Sequence, residues 1–152
     1  MTRNAKRAST AALLAALVAA ATSVASSSTD VIRDRQQAMK DVGGAMQNLA
    51  TIAKKETPFE AGVVRENAAV IAEALKRSAD LFAEGSDKGA AETWAKPEIW
   101  SRRGDFSKKL ETAQAEAVAM QSVGTESAFS PALAKLGDAC KACHQAYRRP
   151  RE

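Results

Sequence analysis

Histidine (one), cysteine (two), tyrosine (one) and tryptophan (two) are all scarce in this 152-residue chain. A tetrahedral zinc site built from cysteine and histidine needs four such ligands, and only three exist. Aromatics make up 5% of the sequence, and no segment alternates polar residues with Val, Ile or Thr at the period of two that a half-buried strand requires. No apolar run is long enough to span a bilayer. The chain also lacks a strong charge once its first residues are set aside. Of its 22 Lys+Arg, Arg3, Lys6 and Arg7 precede the first acidic residue, which leaves 19 against 18 Asp+Glu. That balance gives no reason to expect nucleic acid or an anionic membrane as a partner.

What the N-terminus does contain is the tripartite pattern of an export signal. Arg3, Lys6 and Arg7 form its basic part, Ala11 to Ala21 a short apolar core, and Ser23-Val24-Ala25 the small residues before a cleavage point. Residues 1–25 are therefore expected to be a signal peptide, although an uncleaved anchor is the alternative. Residues 26–152 form one domain with room for a single core. Export implies the periplasm, with no membrane association after cleavage.

All the periodicity in those residues is helical, with apolar positions at alternating steps of three and four. A first helix is expected to begin after Ser26–Thr29, capped by Thr29 or Asp30, with the stripe Ile32, Arg35, Met39, Val42, Met46, Leu49 and Ala53. A second opens at Thr57-Pro58-Phe59-Glu60, read as a capping box with proline at its first position, carries Val64, Ala68, Ile71, Leu75 and Phe82, and ends near Glu84-Gly85. Residues 85–102, with Trp94, Pro97 and Trp100, read as a long ordered loop covering one side of the molecule. A third helix carries Phe106, Leu110, Ala113, Ala117 and Met120. A fourth, capped by Ser130 ahead of Pro131, carries Leu133, Leu136, Cys140, Cys143 and Tyr147 and ends at Pro150. Four amphipathic helices predict an all-α, antiparallel four-helix bundle.

The two cysteines and the histidine form one motif, Cys140-Lys141-Ala142-Cys143-His144. The spacing C-x-x-C-H suits covalent haem attachment. Two thiols add to the vinyl groups on one porphyrin edge, and the adjacent imidazole reaches the iron. On a helix, Cys140 and Cys143 lie about 60° apart and His144 about 40° to the other side of Cys140, so all three face one way. A thioredoxin-type disulfide is a rival reading, but its motif belongs at a helix N-terminus in a βαβ unit. A chance match is another. An export signal weakens it, because two close thiols in an oxidising compartment oxidise unless consumed.

At this point the sequence resembles a family, the class II c-type cytochromes typified by cytochrome c′, in which a four-helix bundle carries haem on a C-x-x-C-H near the C-terminus. The likeness includes Arg35-Gln36-Gln37-Ala38-Met39, Lys55 to Phe59, Pro97-Glu98-Ile99-Trp100, and Tyr147-Arg148 after the histidine. The resemblance implies one haem c between the first and last helices. Cys140 and Cys143 would be its thioether attachments, His144 the proximal iron ligand and Met39 the distal one. Arg35 would approach a propionate and Arg148 the exposed face of the imidazole. Each has a plainer explanation: Arg148 sits among basic residues favoured at a helix C-terminus, Arg35 can pair with another helix, and Met39 or Met46 can simply fill the core. A bound Met39 sulfur implies a low-spin electron carrier with redox partner proteins and no catalysis of its own. An open site implies binding of a small gas such as NO or CO. The run Met39 to Met46 resembles the low-spin branch, and its Gly43-Gly44 pair is expected to permit close approach to the haem or a neighbouring helix. Family members also suggest a homodimer through the first two helices.

Overall fold

The structure, a computed structural model, describes residues 28–150 other than Ala90, so the signal segment expected over 1–25 lies outside the described residues. Among the described residues five α-helices follow in order: α1 (Ser28–Ala53), α2 (Ala61–Ser78), α3 (Glu98–Ser101), α4 (Arg103–Met120) and α5 (Glu126–Tyr147). The four long ones form the expected bundle. α1 packs along α2, α2 along α4 and α4 along α5, whereas α1 and α5 touch only sparsely. The bundle thus has one loosely closed edge, between its first and last long helices.

The stripe of α4 is as expected: Phe106, Leu110, Ala113, Ala117 and Met120 are all buried. That of α1 is rotated. Ala38, Ala45 and Ile52 join Ile32, Arg35, Val42 and Leu49 in the buried face, Ala53 is exposed, and Met39 and Met46 are half-buried at its flank. Alanines at 38 and 45 are small enough to admit a close neighbour, so the more apolar methionines are left at the margin. Gly43 and Gly44 are exposed, and a Cβ on either meets nothing within 4 Å, so the pair brings no neighbouring helix closer.

Helix ends depart most from the sequence reading. α1 is already helical at Ser28, ahead of the expected caps at Thr29 and Asp30. It stops in a Schellman arrangement, with the Glu56 N–H donating to the Thr51 carbonyl at 2.9 Å, the Lys55 N–H to Ile52 at 3.0 Å, and Lys55 in the left-handed region at φ 60°. Thr57-Pro58 does not start α2. The Thr57 hydroxyl instead lies 2.6 Å from that of Thr51, and the extended Glu60 precedes the first helical residue, Ala61. α2 ends at Ser78, whose buried hydroxyl donates back to the Ala74 carbonyl at 2.8 Å, and a single 3-10 turn (Ala79–Phe82) follows. α5 begins before Ser130-Pro131, at Glu126, with the Thr125 hydroxyl accepting from the Ala128 N–H. Pro131 lies inside the helix, and Phe129, which a start at Ser130 excludes, is fully buried against Phe59 at 5.7 Å. The helix ends at Tyr147 rather than Pro150.

The connection from α2 to α4 is an ordered cover, as expected, with one helical turn, α3, inside it. Ile99 is buried, and Trp100 packs on Phe82 while its indole N–H donates to the Ala83 carbonyl at 2.9 Å. Trp94 remains 41% exposed.

Candidate functional site

α5 is anchored through Phe129, Leu136 and Tyr147, all buried, and between the last two lie Cys140, Cys143 and His144, each half-buried. The helix therefore turns the three residues of the motif toward one margin, as the repeat of 3.6 predicts. Both cysteines are free thiols packed against the core. Burial pushes the pKa of each above the ordinary thiol value, that of Cys143 to about 11 with a further upward contribution from Cys140. A thiol-disulfide enzyme needs the opposite, a depressed pKa at a helix N-terminus. These cysteines stand in the last turns of α5. Among the described residues no group of three or more His, Cys, Asp or Glu could hold a metal ion, so a zinc cluster has no support either.

The end of α5 is clasped by the covering loop. The Lys96 N–H donates to the Tyr147 carbonyl at 3.0 Å and the Arg149 N–H to Trp94 at 2.8 Å, so that Ala95 and Arg148 form an antiparallel bridge. The Lys96 ammonium donates to the Gln145 and Ala146 carbonyls, 3.3 Å each, and the Arg149 guanidinium to Thr93 at 2.7 Å. The donors that reach α5 satisfy carbonyls that a helix terminus leaves without intrahelical partners. On the α4 side, the Tyr147 hydroxyl donates to Asp105 at 2.5 Å and the Tyr147 ring meets Phe106 edge-on at 5.3 Å. One turn before Tyr147, His144 is thereby held from two sides. Arg148 is exposed and lines the same open cleft as His144.

On α1, Arg35 is buried to 5% exposure, and its guanidinium donates to Leu81 O at 3.0 Å, Ser86 Oγ at 3.0 Å and Ser86 O at 2.9 Å. The Phe82 ring lies 4.9 Å and the Trp100 ring 5.6 Å from it, both in cation–π range. Burial lowers its pKa, and the negative charge of Asp87 acts in the opposite direction. The partner that a charge within an apolar stripe demands is here a set of loop oxygens. Met39 and Met46 sit half-buried against the core, about one and three turns further along α1.

Sequence reasoning does not find Lys96, Asp105 or Ser86. Their partners are 42 to 51 residues away, and for Lys96 they are main-chain carbonyls that no side-chain pattern announces. Only Arg35, a cation on an apolar stripe, carries a signal that some partner is required.

The donor chemistry fits a covalently held haem: two unpaired thiols three residues apart, an adjacent imidazole, thioethers on another helix, and a loosely closed edge between α1 and α5. An antiparallel four-helix bundle with C-x-x-C-H on its last helix defines the class II c-type cytochromes. A family model described as Cytochrome C′ matches residues 30–148. Cytochrome c-556 of Agrobacterium tumefaciens (strain B2A) is 34% identical over 119 residues, covering 77% of this chain and 95% of that one. The solved structure of cytochrome c′ from Rhodopseudomonas palustris is similar with TM-score 0.76 and 30% identity, covering 82% of this chain and 99% of that one. The nitric oxide complex of a cytochrome c prime variant from Alcaligenes xylosoxidans is similar with TM-score 0.75 and 26% identity, over 84% and 99%. The chain belongs to the cytochrome c′ family and is a haem c protein of electron transfer or gas binding.

Proposed function

We propose that the chain is a periplasmic single-electron carrier, with no substrate turnover of its own, in which His144 and Met39 would both bind the haem iron. The observation that carries this reading is the presence of a half-buried thioether and a half-buried C-x-x-C-H on the two helices that flank the loose edge of the bundle. Cys140 and Cys143 would hold the porphyrin as thioethers, and His144 would offer a ring nitrogen from α5. When bound, the haem supplies one-electron exchange between ferric and ferrous iron, and Met/His ligation raises its potential.

The rest of the task falls to the chain. The loop clasp and the Tyr147–Asp105 bond hold the end of α5 that carries His144. Arg35, held on the Leu81 and Ser86 oxygens, would offer a fixed cation to a propionate, and Arg148, which lines the same cleft as His144, would approach its imidazole. Cleavage after Ala25 delivers the domain to the periplasm. Among the described residues no helix is long and apolar enough to cross a membrane. Pairing of two copies through α1 and α2 belongs to the same reading, with Val63 and Val70 exposed seven residues apart on α2.

The gas-binding alternative has one observation in its favour, the nitric oxide complex among the similar structures. The spectrum of the reduced holoprotein with and without CO separates the two. Met39 ligation predicts a low-spin spectrum that CO leaves unchanged, and Met39→Leu then becomes high-spin and binds CO. A parent protein that takes up CO at once removes Met39 from the iron and makes gas binding the function.

A further inference from the structure

The cleft beside His144, about 590 Å³ in volume, is lined by Lys96, Lys141, Arg148 and Arg149 together with Gln145, and no carboxylate among the described residues contributes to its wall. The 19 basic and 18 acidic residues that follow residue 25 nearly cancel, so four cations at one place are a local asymmetry rather than a reflection of net charge. Two of the four are already immobilised, Lys96 on the Gln145 and Ala146 carbonyls and Arg149 on that of Thr93. Ordering them against a partner therefore costs little further side-chain entropy. Lys141 and Arg148 are exposed and project the charge outward. From these features we infer that the cleft is the docking surface for an acidic face of a redox partner protein, and that electrons enter or leave on the His144 side.

The inference rests on the carrier reading. The step is one electron passed from the reduced partner to the ferric protein, or from the ferrous protein to an oxidised partner, with no bond or proton transferred. An acidic protein suits the site better than an anionic membrane does. The cleft is concave, and the histidine in its wall is the one placed on the iron, which matters only to a partner that exchanges electrons. Opposite charges steer such encounters and raise their rate at low salt.

The test uses the ferrous holoprotein and two oxidants of opposite charge, hexacyanoferrate(III) and tris(phenanthroline)cobalt(III), mixed by stopped flow across a range of ionic strength. Oxidation by the anion is expected to slow as salt rises, and oxidation by the cation to quicken or stay level. Lys141→Glu is expected to slow the anionic reaction about threefold to tenfold at ionic strength about 0.01 M and to speed the cationic one, both effects fading at high salt. A structural disturbance or a shifted potential instead moves the two rates together. Lys54→Glu makes the same charge change near the other end of α5, where Phe59 packs on Phe129, and is expected to leave both rates within about twofold.

Poly-L-glutamate, standing in for the acidic face, is expected to inhibit the anionic reaction of the parent at low salt and much less that of Lys141→Glu. Equal salt dependence for the two oxidants, parallel changes in Lys141→Glu, or no inhibition by poly-L-glutamate overturns the inference. Co-sedimentation with phosphatidylserine vesicles without competition from poly-L-glutamate overturns it too, in favour of a membrane. A haem that exchanges electrons with neither oxidant within seconds defeats the carrier reading itself, a result distinct from all of these.

Discussion

Tyr147 and Asp105 share a 2.5 Å hydrogen bond, one turn of α5 beyond the histidine of the haem motif. The bond holds the Asp105 carboxyl below its ordinary pKa, and burial first, then the bond, pushes the Tyr147 phenol above its own. The two signs define a window. For Asp105, whose folded pKa lies below the unfolded value of about 3.9, the stabilisation is full above that value and lost as pH falls through the folded pKa. For Tyr147 it is full below about pH 10 and lost as pH rises through the raised folded value. Tyr147→Phe is therefore expected to flatten the stability profile below about pH 4 and above about pH 10, with little change in its shape between. Urea denaturation of the holoprotein from acid to alkaline pH checks this, and a mutant curve parallel to the parent throughout leaves the bond without a role. Arg35 shows the other side of the residue scale. That it needs a partner is legible from its apolar stripe, but Ser86 and the Leu81 carbonyl are not, because nothing in residues 81–86 marks them as acceptors for α1.

At the scale of elements, the helices of this chain are set by periodicity and their ends by local hydrogen bonds. α4 is legible throughout, since Phe106 to Met120 has one apolar face and nothing else to pack. Prolines mislead at the starts of α2 and α5. Pro58 and Pro131 both look like first-turn residues, yet one precedes its helix and the other lies within it. The Thr125 side chain accepts from the Ala128 N–H well ahead of Pro131, and by starting there α5 gains Phe129 as a buried aromatic. The end of α1 carries no glycine to announce it. Lys55 holds a left-handed conformation there that costs an L-residue about 1 kcal/mol and a glycine almost nothing. Lys55→Gly is accordingly expected to stabilise the protein by a net of up to about 0.5 kcal/mol, after the greater freedom of glycine in the unfolded chain is subtracted. Thermal unfolding of the two proteins side by side tests the sign, and a destabilised variant contradicts the Schellman account.

For the whole molecule, the sparse contact between α1 and α5 is the feature with the widest consequence. The other neighbouring pairs of the bundle pack closely, so a haem held at this fourth edge, as proposed, would be a part of the core as well as a cofactor. A Cys140→Ser, Cys143→Ser variant that carries no haem is expected to lose about 3 kcal/mol or more, on the order of 10 °C in Tm for a domain of this size. Hydrogen exchange is expected to rise first along α1 and α5 and last in α2 and α4. Equal melting temperatures with and without haem contradict this dependence.

The covalent chemistry was determined by sequence alone, because C-x-x-C-H is a local spacing and a helix carries it to one face wherever the helix lies. The class of fold was likewise a matter of sequence, since four stretches of 3.6-residue periodicity without strands leave few other ways to bury apolar stripes. The tertiary structure decided what surrounds the motif. It left Met39 and Met46 at the flank of α1, closed Ser86 on Arg35, tied Asp105 to Tyr147, and gathered Lys96 with Lys141, Arg148 and Arg149 around His144. The Arg35–Ser86, Asp105–Tyr147 and Lys96 contacts join residues far apart in the chain through a few hydrogen bonds or shared surface. Only the packing of helices brings such groups together, and no local pattern records it.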